Sequence, residues 1–238
     1  MKKIILIGAT TGIGRSLAEL YARQGFELAI TGRRLALLEE IKLAFPNTTI
    51  HVRQMDVTEL EASCQTMQEL ATTMNGFDMV VINAGVGFPK ATAAQEMATI
   101  DINVRGFLAL ARWSYDYFKT QPSGHIVGIS SIAAIRSTSY APEYHASKAF
   151  MSSYLEGLRF RSAKSFKHIS ITDIRPGYVD TPLTKGQKGM FWVASSEKAA
   201  TQIANAIERK AAVAYITKRY WLVAWLLRLL PDWVMAKI

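Results

Sequence analysis

Near its N-terminus the chain reads Gly8-Ala9-Thr10-Thr11-Gly12-Ile13-Gly14, between the apolar run Lys3 to Ile7 and a helical pattern from Ile13 to Arg23. Glycine has no Cβ, so it allows a sharp turn and a close approach of the backbone to a phosphate. The helix that follows would present free N–H groups and the positive end of its dipole to the anion. The spacing, G-x-x-x-G-x-G, differs from the G-x-G-x-x-G of many dinucleotide-binding proteins, and a flexible turn is the alternative. The position after a first strand favours a phosphate-binding loop.

Short apolar runs alternate with longer helical patterns along the whole chain. The predicted strands are Lys3 to Ile7, Leu28 to Thr31, Ile50 to Arg53, Met79 to Ile82, Ile126 to Ile129, Ile169 to Ile174 and Val213 to Ile216. The predicted helices lie near Ile13 to Arg23, Leu35 to Phe45, Glu59 to Met74, Ile102 to Lys119, Ala141 to Lys164 and Glu197 to Lys210. Continuously apolar strands are typical of a parallel sheet covered on both faces. We therefore predict one α/β domain, a doubly wound, Rossmann-like parallel sheet of about seven strands with helices on both faces.

Length and composition indicate an ordinary globular protein. The 238 residues suit one large domain, and half of them are apolar. The single cysteine, Cys64, excludes a disulfide within the chain, so a reducing cytoplasm is the expected compartment. The apolar run after Lys2-Lys3 ends at Gly8, too early for the core of a signal peptide.

The excess of positive charge is confined to the second half of the chain. Residues 1–119 carry twelve Lys/Arg and twelve Asp/Glu, whereas residues 120–238 carry sixteen and seven, which accounts for the net charge of +9. A solvated basic surface explains this distribution. The basic residues are scattered, without zinc-finger spacing or an RNP-type motif, so we expect no nucleic-acid partner. The four histidines, at positions 51, 125, 145 and 168, share no ligand spacing, so no metal site is expected.

The end of the second predicted strand bears on the choice of nucleotide. Many NAD-binding proteins of this fold place an acid there, which holds the ribose 2′-hydroxyl. This chain instead reads Thr31-Gly32-Arg33-Arg34. A guanidinium can bind a 2′-phosphate in a charge-assisted pair, and Arg15, just past the glycine loop, could close on the phosphate from the other side. Each arginine alone could be a solvated surface residue, but their joint placement favours NADP(H) over NAD(H).

A candidate proton-transfer pair lies inside a long helical pattern, in Tyr144-His145-Ala146-Ser147-Lys148. Tyr144 and Lys148 are four residues apart and share one face of the helix. A free phenol has a pKa of about 10, and a nearby ammonium is expected to lower it toward neutral pH. Ser131 lies thirteen residues before Tyr144, at the carboxyl end of the fifth predicted strand, where open α/β sheets bind ligands. Its hydroxyl could bond a substrate oxygen, or it could only cap a helix.

Two further polar residues occur in these helical patterns. Asn103 stands inside the pattern Ile102 to Lys119, where asparagine is unfavourable, so a kink or a water site is one interpretation. His145 falls on a different face of its helix from Tyr144 and Lys148, which favours a structural role.

Taken together, these pieces resemble the short-chain dehydrogenase/reductase family in its compact single-domain form. The matching pieces run in order along the chain and are the glycine loop, Asp56-Val57, Asn83-Ala84-Gly85, Asn103, Ser131, Tyr144, Lys148 and Pro176-Gly177-Tyr178-Val179-Asp180-Thr181. Their joint order and spacing are highly specific. The chain departs from the family's usual pattern at Ile7, where a threonine is common, and at Ile82, where an asparagine is common.

The resemblance implies roles for individual residues. Asn103, Ser131, Tyr144 and Lys148 would form a catalytic tetrad, with Tyr144 as the acid in reduction and the base in oxidation. Lys148 would also hold the nicotinamide ribose, and Asn103 would support a proton-relaying water. Together with the loop and the arginines, the candidate cofactor contacts are Gly8, Thr10, Thr11, Gly12, Ile13, Gly14, Arg15, Arg33, Asp56, Val57, Asn83, Ala84, Gly85, Tyr144, Lys148, Pro176, Gly177, Val179 and Thr181.

The C-terminal segment is unusually apolar. We predict a dinucleotide-binding catalytic domain over residues 1–217 and an apolar helical extension of the same domain over residues 218–238. As a helix, Lys218 to Leu230 is apolar almost all round and spans only about 20 Å, against about 30 Å for a bilayer core. It could cover the substrate cleft, form the interface of a homodimer or homotetramer, or lie in a membrane surface. Burial within the protein or between subunits is the expectation.

The function that these features predict is hydride transfer between NADP(H) and a small-molecule carbonyl or alcohol of apolar character. Two alternatives remain: a catalytically silent NADP-binding regulatory or scaffold protein, and an epimerase or dehydratase with the same Tyr–Lys pair. Substrate choice is expected to depend on the segment after Thr181 and on the turn from Ala134 to Ala141. The residues singled out in the first of these are Lys185, Lys188, Met190, Phe191 and Trp192.

Overall fold

A computed structural model of the protein describes residues 2–187 and 189–236. Lys188, one of the predicted specificity residues, lies outside the described residues. Within them the strands are β1 (Lys3–Ile7), β2 (Glu27–Gly32), β3 (Ile50–Gln54), β4 (Met79–Ile82), β5 (Gly124–Ile129), β6 (Ile169–Pro176) and β7 (Val213–Ile216). They form one parallel sheet in the order β3-β2-β1-β4-β5-β6-β7. The predicted doubly wound α/β fold is confirmed.

The order of the strands determines where a ligand can bind. The chain moves outward from β1 through β2 to β3 and then returns, so that β4 pairs with the other edge of β1. Ile4 of β1 therefore has Leu28 of β2 on one side and Met79 of β4 on the other. The connections after β1 and β4 therefore leave the sheet in opposite directions. Open α/β sheets bind their ligands in the crevice at this point, beyond the carboxyl ends of the strands.

Helices cover both faces of the sheet, which explains the continuously apolar strands. The helices are α1 (Gly12–Arg23), α2 (Leu35–Ala44), α3 (Leu60–Thr73), α4 (Ala93–Ile100), α5 (Phe107–Phe118), α6 (Pro142–Ser165), α7 (Ser196–Glu208), α8 (Tyr220–Leu229) and α9 (Asp232–Met235). Ile4 and Leu6 of β1 pack in one core with α1, α2 and α7. Ile5 and Ile7 point to the other face and pack with α3, α5 and α6. Burial of both faces stabilises the sheet by the hydrophobic effect.

The segment around Asn103 differs from the predicted single helix. The chain forms α4, which was not predicted, then a π-helix over Asp101–Gly106, and only then α5. A capping box between Thr92 and Gln95 starts α4 and was a readable signal of it. The unfavourable asparagine thus marks a real irregularity, of the π-helical kind that is frequent at functional sites. The predicted ends of the other strands and helices before residue 217 agree with the structure within two residues.

The C-terminal helix is less covered than expected. In α8 only Tyr220 and Ala224 are buried. Its opposite side exposes Trp221, Leu222, Trp225, Leu226 and Leu229. Within one chain, α8 is therefore only partly buried, since these five side chains are 47–61% exposed. Burial between subunits stays a prediction. No described helix combines the length and the apolar character needed to cross a membrane.

Candidate active site

A groove with a cavity volume of about 240 Å³ runs along the carboxyl ends of the strands. Most of the candidate site residues line it, although they come from widely separated parts of the sequence. Those residues are Gly8, Thr10, Thr11, Gly12, Ile13, Arg33, Asp56, Val57, Asn83, Ala84, Gly85, Ser131, Tyr144, Lys148, Pro176, Gly177, Val179 and Thr181. Gly14, Arg15 and Asn103 do not line it. The groove lies where the topology predicts a ligand site.

The glycine loop is shaped by close backbone packing. The N–H groups of Gly8 and Ala9 both donate to the Thr31 carbonyl, at 2.9 and 3.0 Å. An added Cβ at Gly14 would lie 2.1 Å from the Gly8 carbonyl oxygen, so no other residue fits there without a shift of the loop. Asn83 Nδ2 donates to the same oxygen at 2.7 Å. Gly14 and Asn83 therefore hold the loop around the start of α1, and the Thr11 side chain does not cap that helix.

The arginines are arranged differently from the sequence prediction. Arg15 Nε pairs with Glu19 at 2.9 Å and its Nη1 with Glu40 at 3.2 Å, so Arg15 is held at the surface outside the groove. Arg34 instead donates from Nη2 to the hydroxyls of Thr10 and Thr11, at 2.9 and 3.2 Å. Both Arg33 and Arg34 line the groove. The guanidinium that contacts the glycine loop is therefore that of Arg34, the second residue after β2, and not that of Arg15.

Tyr144 and Ser131 meet in the groove. Tyr144 lies in the first turn of α6, and Ser131 is the second residue after the end of β5. Burial around the Tyr144 hydroxyl raises its pKa, and a hydrogen bond with the Ser131 side chain works in the opposite direction. The predicted lowering of this pKa by Lys148 is thus not found, because the loss of hydration dominates and the opposing contribution comes from Ser131. Ser131 also caps a short 3₁₀ turn by accepting from the Ala133 N–H at 3.1 Å, and its role toward a substrate oxygen stays a prediction.

Lys148 is buried beneath Tyr144. Its Nζ lies 5.7 Å from the centre of the Tyr144 ring and donates to the Ile129 carbonyl at 3.1 Å. Burial lowers the pKa of Lys148 to about 8, and the negative charge of Asp173 limits the fall. The ammonium form therefore still predominates at neutral pH, one helical turn from the phenol.

A buried polar network behind the groove was not predicted from the sequence. Ser130 lines the groove, and its hydroxyl donates to Asp173 Oδ1 at 2.5 Å. Arg175 Nε donates to the other carboxylate oxygen at 2.7 Å, and the Ser152 hydroxyl donates to Ser130 at 3.2 Å. Asp173 is only 1% exposed. An acid within the apolar run from Ile169 to Ile174 was the available signal, since a buried carboxylate needs a partner.

Asn103 is fully buried beside the groove but does not line it. Its Nδ2 donates to the Val86 carbonyl at 2.8 Å and to the Ser147 hydroxyl at 3.0 Å. Its Oδ1 accepts from the Val86 N–H at 2.9 Å. The side chain therefore fastens the segment after β4 to α6. A proton-relaying water at Asn103 stays a prediction.

Of the two loops expected to decide substrate choice, only the start of the segment after Thr181 lines the groove. Lys185, Met190, Phe191 and Trp192 are not among the groove residues, although Leu183 and Thr184 of the same loop are. The Thr184 hydroxyl donates to the Val179 carbonyl at 2.6 Å and so ties this loop to the end of β6. The turn from Ala134 to Ala141 is held against α6 by His145, whose Nδ1 lies 2.8 Å from the Arg136 carbonyl oxygen. The structural role predicted for His145 agrees with this contact.

The chain is similar to known proteins over most of its length. A family model described as short chain dehydrogenase matches residues 2–192. An uncharacterised oxidoreductase of Mycobacterium tuberculosis is 30% identical over 243 residues, covering 98% of this chain and 94% of the relative. A short-chain dehydrogenase/reductase of Burkholderia phymatum in complex with NAD superposes with a TM-score of 0.84 at 19% identity, over 94% of this chain and 91% of that one. An alcohol dehydrogenase of Thermococcus sibiricus complexed with 5-hydroxy-NADP superposes with a TM-score of 0.80 at 21% identity, over 90% and 95%.

Proposed function

Since this chain belongs to the short-chain dehydrogenase family and is an oxidoreductase of that family, we propose that it transfers a hydride between NADP(H) and an apolar carbonyl compound or the corresponding alcohol. One observation carries the proposal. Ser131, Tyr144 and Lys148 converge on a single groove that Arg33 and Arg34 also line. A proton donor, a cation and a phosphate-binding pair are thus available to one bound molecule.

The residues of the groove fit NADP(H). Helix α1 begins at Gly12, within the glycine loop, and the Thr11 side chain does not cap its first N–H groups. They are suited to a diphosphate, because a helix N-terminus attracts anions. The end of β2 offers the two guanidinium groups of Arg33 and Arg34 and no carboxylate. This favours a 2′-phosphate over a free 2′-hydroxyl. Lys148 would hold the nicotinamide ribose.

The proposed chemistry divides between cofactor and protein. When bound, NADPH supplies the hydride that adds to the carbonyl carbon. Tyr144 gives its proton to the carbonyl oxygen and takes one back when an alcohol is oxidised. Burial keeps the phenol protonated before reduction, and the Lys148 ammonium stabilises the phenolate that remains afterwards. The Ser131 hydroxyl holds the substrate oxygen beside Tyr144.

A catalytically silent NADP-binding regulator is the competing function. Such a protein needs the glycine loop and the arginines but not a Tyr–Lys pair in contact with the same groove. The proximity of Ser131, Tyr144 and Lys148 therefore supports the enzyme.

The experiment is a screen of apolar ketones, aldehydes and alcohols followed by nicotinamide absorbance. We expect NADPH consumption with some carbonyl compounds, NADP⁺ reduction with the corresponding alcohols, and neither with a Tyr144→Phe variant. Stoichiometric NADPH binding by the wild-type protein without turnover of any compound would support the silent regulator instead. Equal turnover by wild type and variant would place proton transfer at another residue.

A further inference from the structure

Helix α8 exposes a continuous apolar face. This docking face consists of Trp221, Leu222, Trp225, Leu226 and Leu229. In a helix these positions lie on one side, since successive residues are 100° apart. The exposed fraction reaches 58% for Trp225 and 61% for Leu229. Contiguous exposed apolar patches of this kind mark interaction sites on folded proteins.

The charge around the docking face is almost entirely positive. The described residues after β7, 217–236, contain three basic residues and one acid. The basic residues, all exposed, are Lys218, Arg219 and Arg228. The acid is Asp232, and it forms an ion pair with Arg136. In this described segment, cations therefore stand at both ends of α8, and the one carboxylate is already paired.

This charge pattern discriminates between two partners. If a second copy of the chain packed on the docking face, it would bring its own Arg219 and Arg228 toward the same cations. Like charges would then face each other in a partly dehydrated contact, which is unfavourable. An anionic lipid surface supplies the missing negative charge, and tryptophan prefers the level of lipid headgroups. A short helix with an apolar face and basic ends is suited to lie in that interface.

We propose that α8 docks the protein on the surface of an anionic membrane, with Trp221, Trp225 and the leucines inserted among the lipids. The opposite side of α8 holds the helix to the catalytic domain. The Tyr220 hydroxyl donates to the Phe191 carbonyl at 2.6 Å and accepts from the Tyr178 N–H at 3.2 Å. Its ring also fills the space beside Gly177, which lines the groove. The docked surface is therefore fixed next to the end of β6 that borders the groove.

Co-sedimentation of the full-length protein with vesicles tests this proposal. We expect binding to phosphatidylcholine vesicles that contain phosphatidylserine, weak binding to phosphatidylcholine alone, and release as salt rises. Arg228→Glu should weaken binding at least about tenfold, because charge reversal replaces an attraction to the anionic surface by a repulsion. Trp225→Ser combined with Leu229→Ser should weaken it at least about tenfold as well, because the inserted apolar surface is lost. The matched control is Leu43→Ser, which removes a leucine 78% exposed on α2 and should change nothing.

Light scattering on the same preparations identifies the alternative partner. A wild-type oligomer that does not bind vesicles and dissociates in the Trp225/Leu229 double variant would assign the face to a subunit interface and overturn the proposal. Absence of binding to both vesicle types at low salt would also overturn it. So would equal binding to neutral and anionic vesicles, because the basic residues would then have no part in it.

Discussion

The hydroxyl of Ser130 donates a 2.5 Å hydrogen bond to Oδ1 of the buried Asp173, directly behind the proposed catalytic serine. Ser130 precedes Ser131 in the chain, and Asp173 lies on β6 next to Ile174, whose carbonyl accepts from the Ser130 N–H. The same carboxylate forms an ion pair with Arg175, and its negative charge raises the pKa of Lys148 against the effect of burial. One buried acid thus supports both the serine that precedes Ser131 and the ammonium of Lys148, and it does not line the groove.

Asp173→Asn should impair both stability and the pH dependence of turnover. The variant leaves Arg175 without its counter-charge, and breaking a buried pair costs on the order of 2–4 kcal/mol in the free energy of unfolding. Removal of the negative charge also lowers the pKa of Lys148 below about 8, so the alkaline limb of the activity profile should move to lower pH. Urea unfolding and pH–rate profiles measure the two effects. Asp116→Asn, in an exposed ion pair with Arg112, is the control and should cost about 1 kcal/mol or less. An unchanged profile would show that Asp173 has only a structural role.

Cofactor preference should depend on Arg34 and Arg33 rather than on Arg15. We expect the wild-type protein to bind NADP(H) at least about tenfold more tightly than NAD(H), or about 1.4 kcal/mol. Arg34→Ala should weaken the binding of NADP(H) more than that of NAD(H). Arg33→Asp should narrow or reverse the preference for NADP(H), since a carboxylate repels a 2′-phosphate. Arg15→Ala is the control, because Arg15 is held by Glu19 and Glu40 outside the groove. Titration calorimetry measures these affinities. Equal affinities of the wild-type protein for NADP(H) and NAD(H) would contradict the assignment of the two arginines to the 2′-phosphate.

Tyr144→Phe and Lys148→Ala should separate chemistry from cofactor binding. Loss of the Tyr144 hydroxyl should reduce turnover by about two to four orders of magnitude, while folding and NADP(H) affinity stay unchanged. Lys148→Ala should reduce both turnover and affinity, because the ammonium is proposed to act on the phenol and on the ribose. Steady-state kinetics and calorimetry on both variants provide the comparison. Identical cofactor affinity in the two variants would show that Lys148 does not hold the ribose.

Gly14→Ala should disrupt the glycine loop, whereas Gly157→Ala should not. A Cβ at Gly14 would approach the Gly8 carbonyl oxygen to 2.1 Å, so the loop must move and cofactor binding should be lost. Gly157 lies in α6 with nothing within 4 Å of an added Cβ, and the same substitution there should stabilise the protein by about 0.5–1 kcal/mol. Thermal unfolding and cofactor titration distinguish the two. Normal cofactor affinity in Gly14→Ala would show that the loop tolerates the shift.

The stability of the fold should fall in mild acid because of His125. This side chain is buried on β5 and shares a 2.8 Å hydrogen bond with the Thr172 hydroxyl. Burial lowers its pKa to about 4, against about 6.5 in an unfolded chain. Between these values the unfolded state binds more protons, so the free energy of unfolding falls as pH falls from about 6.5 and this contribution levels off below about 4. The loss amounts to roughly 3 kcal/mol. Urea midpoints of His125→Gln should depend less on pH over this window, and a slope equal to wild type would refute the assignment.

Local patterns in the sequence determined the fold and most of the groove. The runs Lys3–Ile7 and Met79–Ile82 were predicted with the observed bounds, since strands buried on both faces are continuously apolar. The alternation of such runs with helical patterns implied a parallel sheet, and the carboxyl ends of parallel strands collect at one edge. The placement of Ser131 and the glycine loop at one edge follows from that geometry, whereas the family resemblance predicted that Tyr144, on a helix, lies beside them.

Only the tertiary structure decided which side chains meet and which remain exposed. Arg15 directly follows the loop and Arg34 comes twenty residues after Gly14, but the packing of α1 beside α2 brings Glu40 to Arg15, and Arg34 contacts Thr10. The direction of the Tyr144 pKa shift depends on how deeply its hydroxyl is buried, which a spacing of four residues does not specify. Partners far apart in the chain, such as Ser130 and Asp173, are set by strand order and register. The sequence therefore determined where burial and turns occur, because these depend on each residue and its near neighbours. Ion pairs, hydration and the exposed face of α8 depend on contacts that exist only once the chain has folded.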